Sequence, residues 1–201
     1  HRLDKDTSGI LLVAKTPGAF SFFQKQFQDR TLQKKYLCLV EGSMQEDKGK
    51  IETLLGRSPG DKRKQKVFMP GEPGSTGKRE AITEYRVMGR YLFESEDSSE
   101  SERPGYTFLE VYPKTGRKHQ IRVQLSSLGH PIAGDKLYGF KNSRFAGSRV
   151  ARQNPIQGLQ RHFLHASFLR IAMPDATIKE FRSELPEDLN TVLKNIHGNA
   201  N

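Results

Sequence analysis

Residues 115–139 read TGRKHQIRVQLSSLGHPIAGDKLYG. Within this stretch Lys118–Leu128 has the length and composition of a helix, and Gly129 supplies the residue that closes one. Working outward, Ala81–Met88 and Thr107–Tyr112 upstream read as strands, and Phe163–Ala172 downstream as another. Lys35–Val40 is a strand ended by Gly42, and Ile51–Leu55 and Lys66–Met69 are weaker ones in the loop-rich stretch from Gly42 to Gly77. Ile10–Val13, bounded by Gly9 and Pro17, reads as a short buried strand. Thr16 and Pro17 offer a cap and a first residue for a helix over 17–29, with Phe20, Phe23 and Phe27 as its apolar stripe. A final amphipathic helix is expected over Pro186–Ile196, closed by Gly198. Short strands interleaved with a few helices predict an α+β fold, one mostly antiparallel or mixed sheet flanked by helices.

At 201 residues the chain has the length of one domain, 1–201, and can bury a core of its own. No run approaches 18 apolar residues, which excludes a transmembrane helix within it. The single cysteine, Cys38, excludes an intrachain disulfide framework and a Cys-rich zinc module. Against 23 Asp+Glu stand 33 Lys+Arg, a net charge of +10, which points to a polyanionic partner, nucleic acid first. The positive charge is also clustered. Lys136–Pro174 holds seven Lys/Arg (Lys136, Lys141, Arg144, Arg149, Arg152, Arg161, Arg170) and no Asp or Glu. Arg57–Lys66 adds five cations against one Asp. Such stretches suit a surface that follows phosphates. Conversely, residues 94–102 (ESEDSSESE) carry five carboxylates and no apolar residue, so an acidic, solvated, mobile loop is expected there. The opening HRLDKDTSG is a turn-rich polar cluster that runs straight into the apolar Ile10–Ala14, so further sequence, the N-terminal part of the domain, is expected upstream.

Several motif matches fail on their own chemistry. Gly56–Gly60 (GRSPG) fits G-x-S-x-G, but the residue after the serine must donate its backbone N–H to the oxyanion, and Pro59 has none. Asp4, Asp6, Ser8 and Gly9 resemble the start of an EF-hand loop, whose twelfth position should be Glu and is Lys15. Gly77–Lys78 lacks the remainder of a P-loop. His162 and His165 have neither a neighbouring Glu nor Cys partners, so they read as packing and hydrogen-bonding histidines rather than metal ligands.

What remains is Asp4 in HRLDKDTSG, Tyr36 in KKYLCLVEG, Arg122 in the TGRKHQIR segment, and Leu164–His165–Ala166 in RHFLHASFL. Singly, Asp4 would be a turn carboxylate and Arg122 a surface cation. Together and in this order they resemble the RluA-type RNA pseudouridine synthases. The resemblance implies the fold of that family and a cofactor-free, metal-free isomerisation of uridine in ribosomal or transfer RNA, with cellular location cytoplasmic, or organellar were a transit peptide to precede residue 1. It implies that Asp4 is the catalytic nucleophile, that Arg122 pairs with it through two parallel hydrogen bonds, that Tyr36 lies against the uracil, and that Ile121 packs beneath the pocket. Arg2 would fill the stack left by an extruded base. Arg117, His119 and Gln120 are expected to contact RNA, though His119 and Gln120 read equally as scaffold; Lys141, Arg144, Arg149, Arg152 and Arg161 in the carboxylate-free stretch are expected on RNA as well. No membrane and no obligatory protein partner is implied. The alternative is a non-catalytic RNA-binding or ribosome-assembly protein on the same fold. An aspartate-nucleophile glycosidase is weaker, since it needs a second carboxylate paired with Asp4.

Overall fold

The computed structural model describes residues 1–92, 105–139, 156 and 158–199. Among these, eight strands form one sheet: β1 (Ser8–Gly9), β2 (Gln33–Glu41), β3 (Lys48–Arg57), β4 (Gln65–Phe68), β5 (Arg79–Leu92), β6 (Gly105–Pro113), β7 (Leu164–Ala172) and β8 (Ile178–Arg182). The helices are α1 (Pro17–Asp29), α2 (Gln120–Ser127) and α3 (Glu187–Asn199). The sheet runs β1-β7-β2-β6-β5-β3-β4, with β8 also on β7. All pairings are antiparallel except β1 with β7, so the sheet is mixed and the fold α+β, as expected.

The centre of the sheet is buried on both faces. Cys38, Leu39 and Val40 are consecutive in β2 and all fully buried, which a strand with one wet face would not allow. Leu109 and Val111 of β6, Ile121 and Leu125 of α2, and Leu189, Val192 and Ile196 of α3 complete this core with Phe163 and Ile132. Burial pushes the Cys38 thiol far above its ordinary pKa, so it stays a packed, neutral group.

Several sequence expectations shift. The strand expected at Ile10–Val13 is displaced to Ser8–Gly9, where β1 pairs in parallel with His165 and Ala166. Gly9 sits at φ +111°, and a Cβ there would lie 2.2 Å from the Ala166 carbonyl oxygen, so only glycine lets the chains approach. After Ile10 N–H donates to that same carbonyl (3.0 Å), the chain leaves the ladder but stays extended. Ile10, Leu12 and Ala14 then pack with Phe23 and Phe27, while Leu11 and Val13 are exposed. Helix α1 begins as expected, Thr16 accepting from Ala19 N–H with Pro17 in the first turn. Phe20 is not part of its packed stripe: it is 55% exposed, and Phe23 and Phe27 fill the space against β7.

Strand β5 is longer than Ala81–Met88, because Met88 forms a bulge that lets pairing continue to Leu92. Helix α2 begins at Gln120, two residues later than Lys118, since His119 before it is left-handed at φ 56°. At its other end, Gly129 at φ 82° follows, and His130 N–H donates back to the Leu125 carbonyl. Gly198 does not close α3, which runs on to Asn199. Strand β8 gave no sequence signal, for all five of its residues are exposed.

Candidate active site

Asp4 stands in a tight turn at the start of the chain: Thr7 N–H donates to the Asp4 carbonyl (3.1 Å), and Asp6 takes a left-handed φ of 71°. The segment entering β7 clamps this turn. Thr7 Oγ1 lies 2.8 Å from His162 Nε2, and Ser8 Oγ 3.0 Å from His165 Nδ1. His165 Nε2 lies 3.1 Å from the Ser183 carbonyl, to which it must donate, so Nδ1 accepts from the Ser8 hydroxyl. Arg161 donates from Nη1 to the Asp6 carbonyl and to Ser8 Oγ, while its Nε and Nη2 grip both oxygens of Asp188 at the start of α3. Burial, helped by the positive charge of Arg122, lowers the pKa of His162 to about 4, so the ring is neutral.

Opposite the turn, Arg122 rises from α2, whose residues Gln120 to Ser126 are all buried. Two glutamines stitch this polar helix into the sheet. Gln120 accepts from Thr115 Oγ1 and Arg117 N–H and donates to Ile82 O and Thr83 Oγ1. Gln124 accepts from Thr83 Oγ1 (2.6 Å) and donates to Thr53 Oγ1 and Ala81 O. With both amides satisfied, the cost of burying them is met by hydrogen bonds.

The Arg122 guanidinium holds two carboxylates unequally. Its bidentate fork goes to Asp135, Nε to Oδ2 at 2.7 Å and Nη2 to Oδ1 at 2.9 Å. Nη1 reaches Asp4 Oδ2 at 3.3 Å. The paired hydrogen bonds expected on Asp4 thus lie on Asp135, and Asp4 receives one longer contact. Asp135 Oδ1 also accepts from Leu137 and Tyr138 N–H, closing an Asx turn. Burial alone would raise the Asp135 pKa, but the Arg122 bonds and charge, with these two amides, hold it below the usual range. The Tyr138 ring lies 5.2 Å from Arg122 Cζ, and its hydroxyl accepts from Gln65 N–H and sits 2.8 Å from His119 Nδ1. Burial lowers the His119 pKa, which favours the neutral ring.

Asp4 and Arg122 open onto a cleft of about 580 Å³, which also takes in Arg2, Tyr36, Arg117, His119, Gln120 and Ile121. The structure therefore gathers every one of the residues singled out from the N-terminal, KKY and TGRKHQIR motifs. Seven Lys/Arg line the cleft against one carboxylate, Asp4. Tyr36 enters beside a register shift in β2, and its phenol is pushed up to about 12 by burial and by the charge of Asp4. It remains protonated and able to donate.

Two residues expected on RNA have other work. Gln120 has its side-chain oxygen and nitrogen bonded within the fold, and the Arg161 guanidinium is bonded to the N-terminal turn and α3. Lys141, Arg144, Arg149 and Arg152 and the acidic stretch Glu94–Glu102 lie outside the described residues. Sequence reasoning missed Asp135 and Tyr138. The signal was an Asp just before the carboxylate-free stretch, in the turn-forming GDKLYG.

The fold recurs in known proteins. The structure of human RNA Pseudouridylate Synthase Domain Containing 1 matches with a TM-score of 0.73 at 28% identity, over 96% of this chain and 71% of that one. An uncharacterized RNA pseudouridine synthase of Chloroflexus aurantiacus is 36% identical over 201 residues, 100% of this chain and 54% of that protein. Ribosomal large subunit pseudouridine synthase D of Nitrosomonas europaea is 36% identical over 197 residues, 98% of this chain and 50% of that protein. The chain spans about half the length of these two curated relatives. Residues 1–127, which include Asp4, Tyr36 and Arg122, match the RNA pseudouridylate synthase family model, and the chain belongs to that family.

Proposed function

We propose that this chain carries the catalytic centre of an enzyme that isomerises uridine to pseudouridine in RNA, with Asp4 as its nucleophile. The observation that carries the reading is the Asp4 carboxylate, 16% exposed, 3.3 Å from Arg122 in a cleft with seven Lys/Arg and no other carboxylate in its lining. The isomerisation breaks the N1–C1′ bond, rotates the uracil and joins C5 to C1′; the C5 hydrogen leaves as a proton and N1 ends protonated. A carboxylate assists by attacking the ribose or the base and then departing, so no redox partner is consumed. Arg122 directs the Asp4 carboxylate through its Nη1 contact. Tyr36, a neutral phenol, offers a flat face to the uracil and a hydroxyl donor. Arg2, exposed in the cleft two residues before Asp4, is the side chain proposed to occupy the stack vacated by the base. The cleft volume falls within the range of about 300–1,000 Å³ that holds small ligands, which suits one extruded nucleotide.

Large-subunit ribosomal RNA is the proposed substrate, on the strength of relatives that carry that name. The test is to incubate the protein with large-subunit ribosomal RNA and, separately, with transfer RNAs, each transcribed with 5-tritiated UTP. Tritium release to water from the ribosomal transcript is expected. Release from transfer RNA alone would move the substrate. Tight, salt-sensitive binding without release from either would leave a non-catalytic RNA binder.

A further inference from the structure

Part of the cleft wall gathers more positive charge than folding can use. Arg30 ends α1 in a left-handed conformation, and its Nη1 lies 3.2 Å from Glu80 Oε2. Arg117 Nε donates to the backbone carbonyl of the same Glu80 (2.9 Å). One residue of β5 thus holds both guanidinium groups, and Arg79 stands next to it. Burial, and then the charges of Arg30 and Arg79, disfavour the charged form of Arg117; the Glu80 charge opposes them. Lys34 of β2 lines the same cleft and forms no ion pair among the described residues. Burial pushes its pKa down to about 8. Its ammonium faces Gly116, where a Cβ would lie 3.7 Å from Nζ and would meet no other atom within 4 Å. The backbone between Lys34 and Arg117 is therefore open to close approach.

Three arginines drawn together around one carboxylate repel one another unless an anion joins them. Arg30 and Glu80 are each about half exposed, so their pair does little to offset this. We propose that Arg30, Lys34 and Arg117, around the bare backbone of Gly116 and backed by Arg79, form a phosphodiester subsite that grips the RNA backbone next to the extruded nucleotide. This rests on the reading of the cleft as an RNA site. The chemistry fits: guanidinium groups bind phosphate oxygens through paired N–H donors, and an ammonium adds a point charge. The subsite is built from α1, β2, β5 and the segment before α2, none of which carries the nucleophile. It therefore contributes to holding RNA rather than to bond making.

The test uses the protein with 5-tritiated large-subunit ribosomal RNA, comparing Arg30→Gln, Lys34→Gln and the double variant with wild type. For each removed contact the slope of log K against log salt is expected to shrink by about one. KM should rise about five- to tenfold per variant, with kcat moving less than KM. Lys34→Arg should restore affinity. Melting temperatures check that the variants are folded, and Arg30, an exposed side chain, keeps the test open should Lys34→Gln not fold. Unchanged slopes and KM in folded variants would overturn the subsite, as would a loss confined to kcat. Wild-type release of tritium with unaffected variants would sink the subsite and leave the reaction standing. Variants that lose salt-dependent binding while wild type releases no tritium would support the subsite and sink the reaction.

Discussion

The turn carrying Asp4 and the loop carrying Asp135 reach the same guanidinium by different means. Asp135 has a fully buried side chain, two short bonds to Arg122 and two backbone amides of its own turn. Asp4 is partly exposed, has one contact of 3.3 Å, and stands on a turn held from outside by His162, His165 and Arg161. The loop fixes the arginine; the turn presents a carboxylate whose remaining valences are open to the cleft. On the proposed reading holding and reacting fall to separate residues, Asp135 fixing the arginine independently of Asp4.

The difference makes the two halves respond unequally to substitution. Arg122→Met strands the Asp135 carboxylate in the core and should cost about 3–5 kcal/mol, lowering the melting temperature by roughly 10 °C. Asp4→Asn loses one long contact and should change stability by no more than about 1 kcal/mol. Equal losses in thermal melts would dissolve the distinction.

Next in size is an effect of acid. His162 has a folded-state pKa of about 4 against an ordinary 6.5, so the unfolded chain takes up its proton more readily. Stability contributed by the neutral ring is present above about pH 6.5 and falls by about 3 kcal/mol on going down to pH 4. Denaturant melts across that window should show the slope, and His162→Gln should flatten it. An unchanged slope would mean that the ring clamping Thr7 is not held neutral.

Gly9→Ala forces a Cβ onto the Ala166 carbonyl at a left-handed φ and should cost about 1–3 kcal/mol. It should also slow catalysis, because β1 anchors the Asp4 turn to β7. Below it comes Arg161→Ala, at about 1–2 kcal/mol. It sharpens the account of that residue: as a strut it leaves the salt dependence of RNA binding unchanged, whereas a phosphate contact would reduce the slope by about one.

Much of the sheet was legible because its strands alternate or run apolar for four or more residues, as in Leu37–Val40 and Leu109–Val111. The parts that escaped lack that signal. Strand β8 is exposed along its length and exists through its pairing with β7. β1 is two residues, set by a glycine and a close backbone contact. At the site, Asp4, Tyr36 and Arg122 could be read from their motifs, but the partner of Arg122 could not. Asp135 is thirteen positions away and is brought to the guanidinium by the turn after α2. Gln120 could be read as an RNA contact or as scaffold, because a polar residue in a cationic motif carries no mark of burial. Only the positions of Thr83, Thr115 and Ile82 show that its amide is used up inside.

We propose that Asp4 reacts while Asp135 only holds Arg122. It is tested most directly by single-turnover tritium release from 5-tritiated large-subunit ribosomal RNA, comparing wild type with Asp4→Asn at matched RNA binding. The account predicts that Asp4→Asn stays folded, binds RNA with the wild-type salt slope, and releases tritium at least about a thousandfold more slowly, a barrier increase of about 4 kcal/mol. Release by folded, RNA-bound Asp4→Asn at a rate near that of wild type would contradict it.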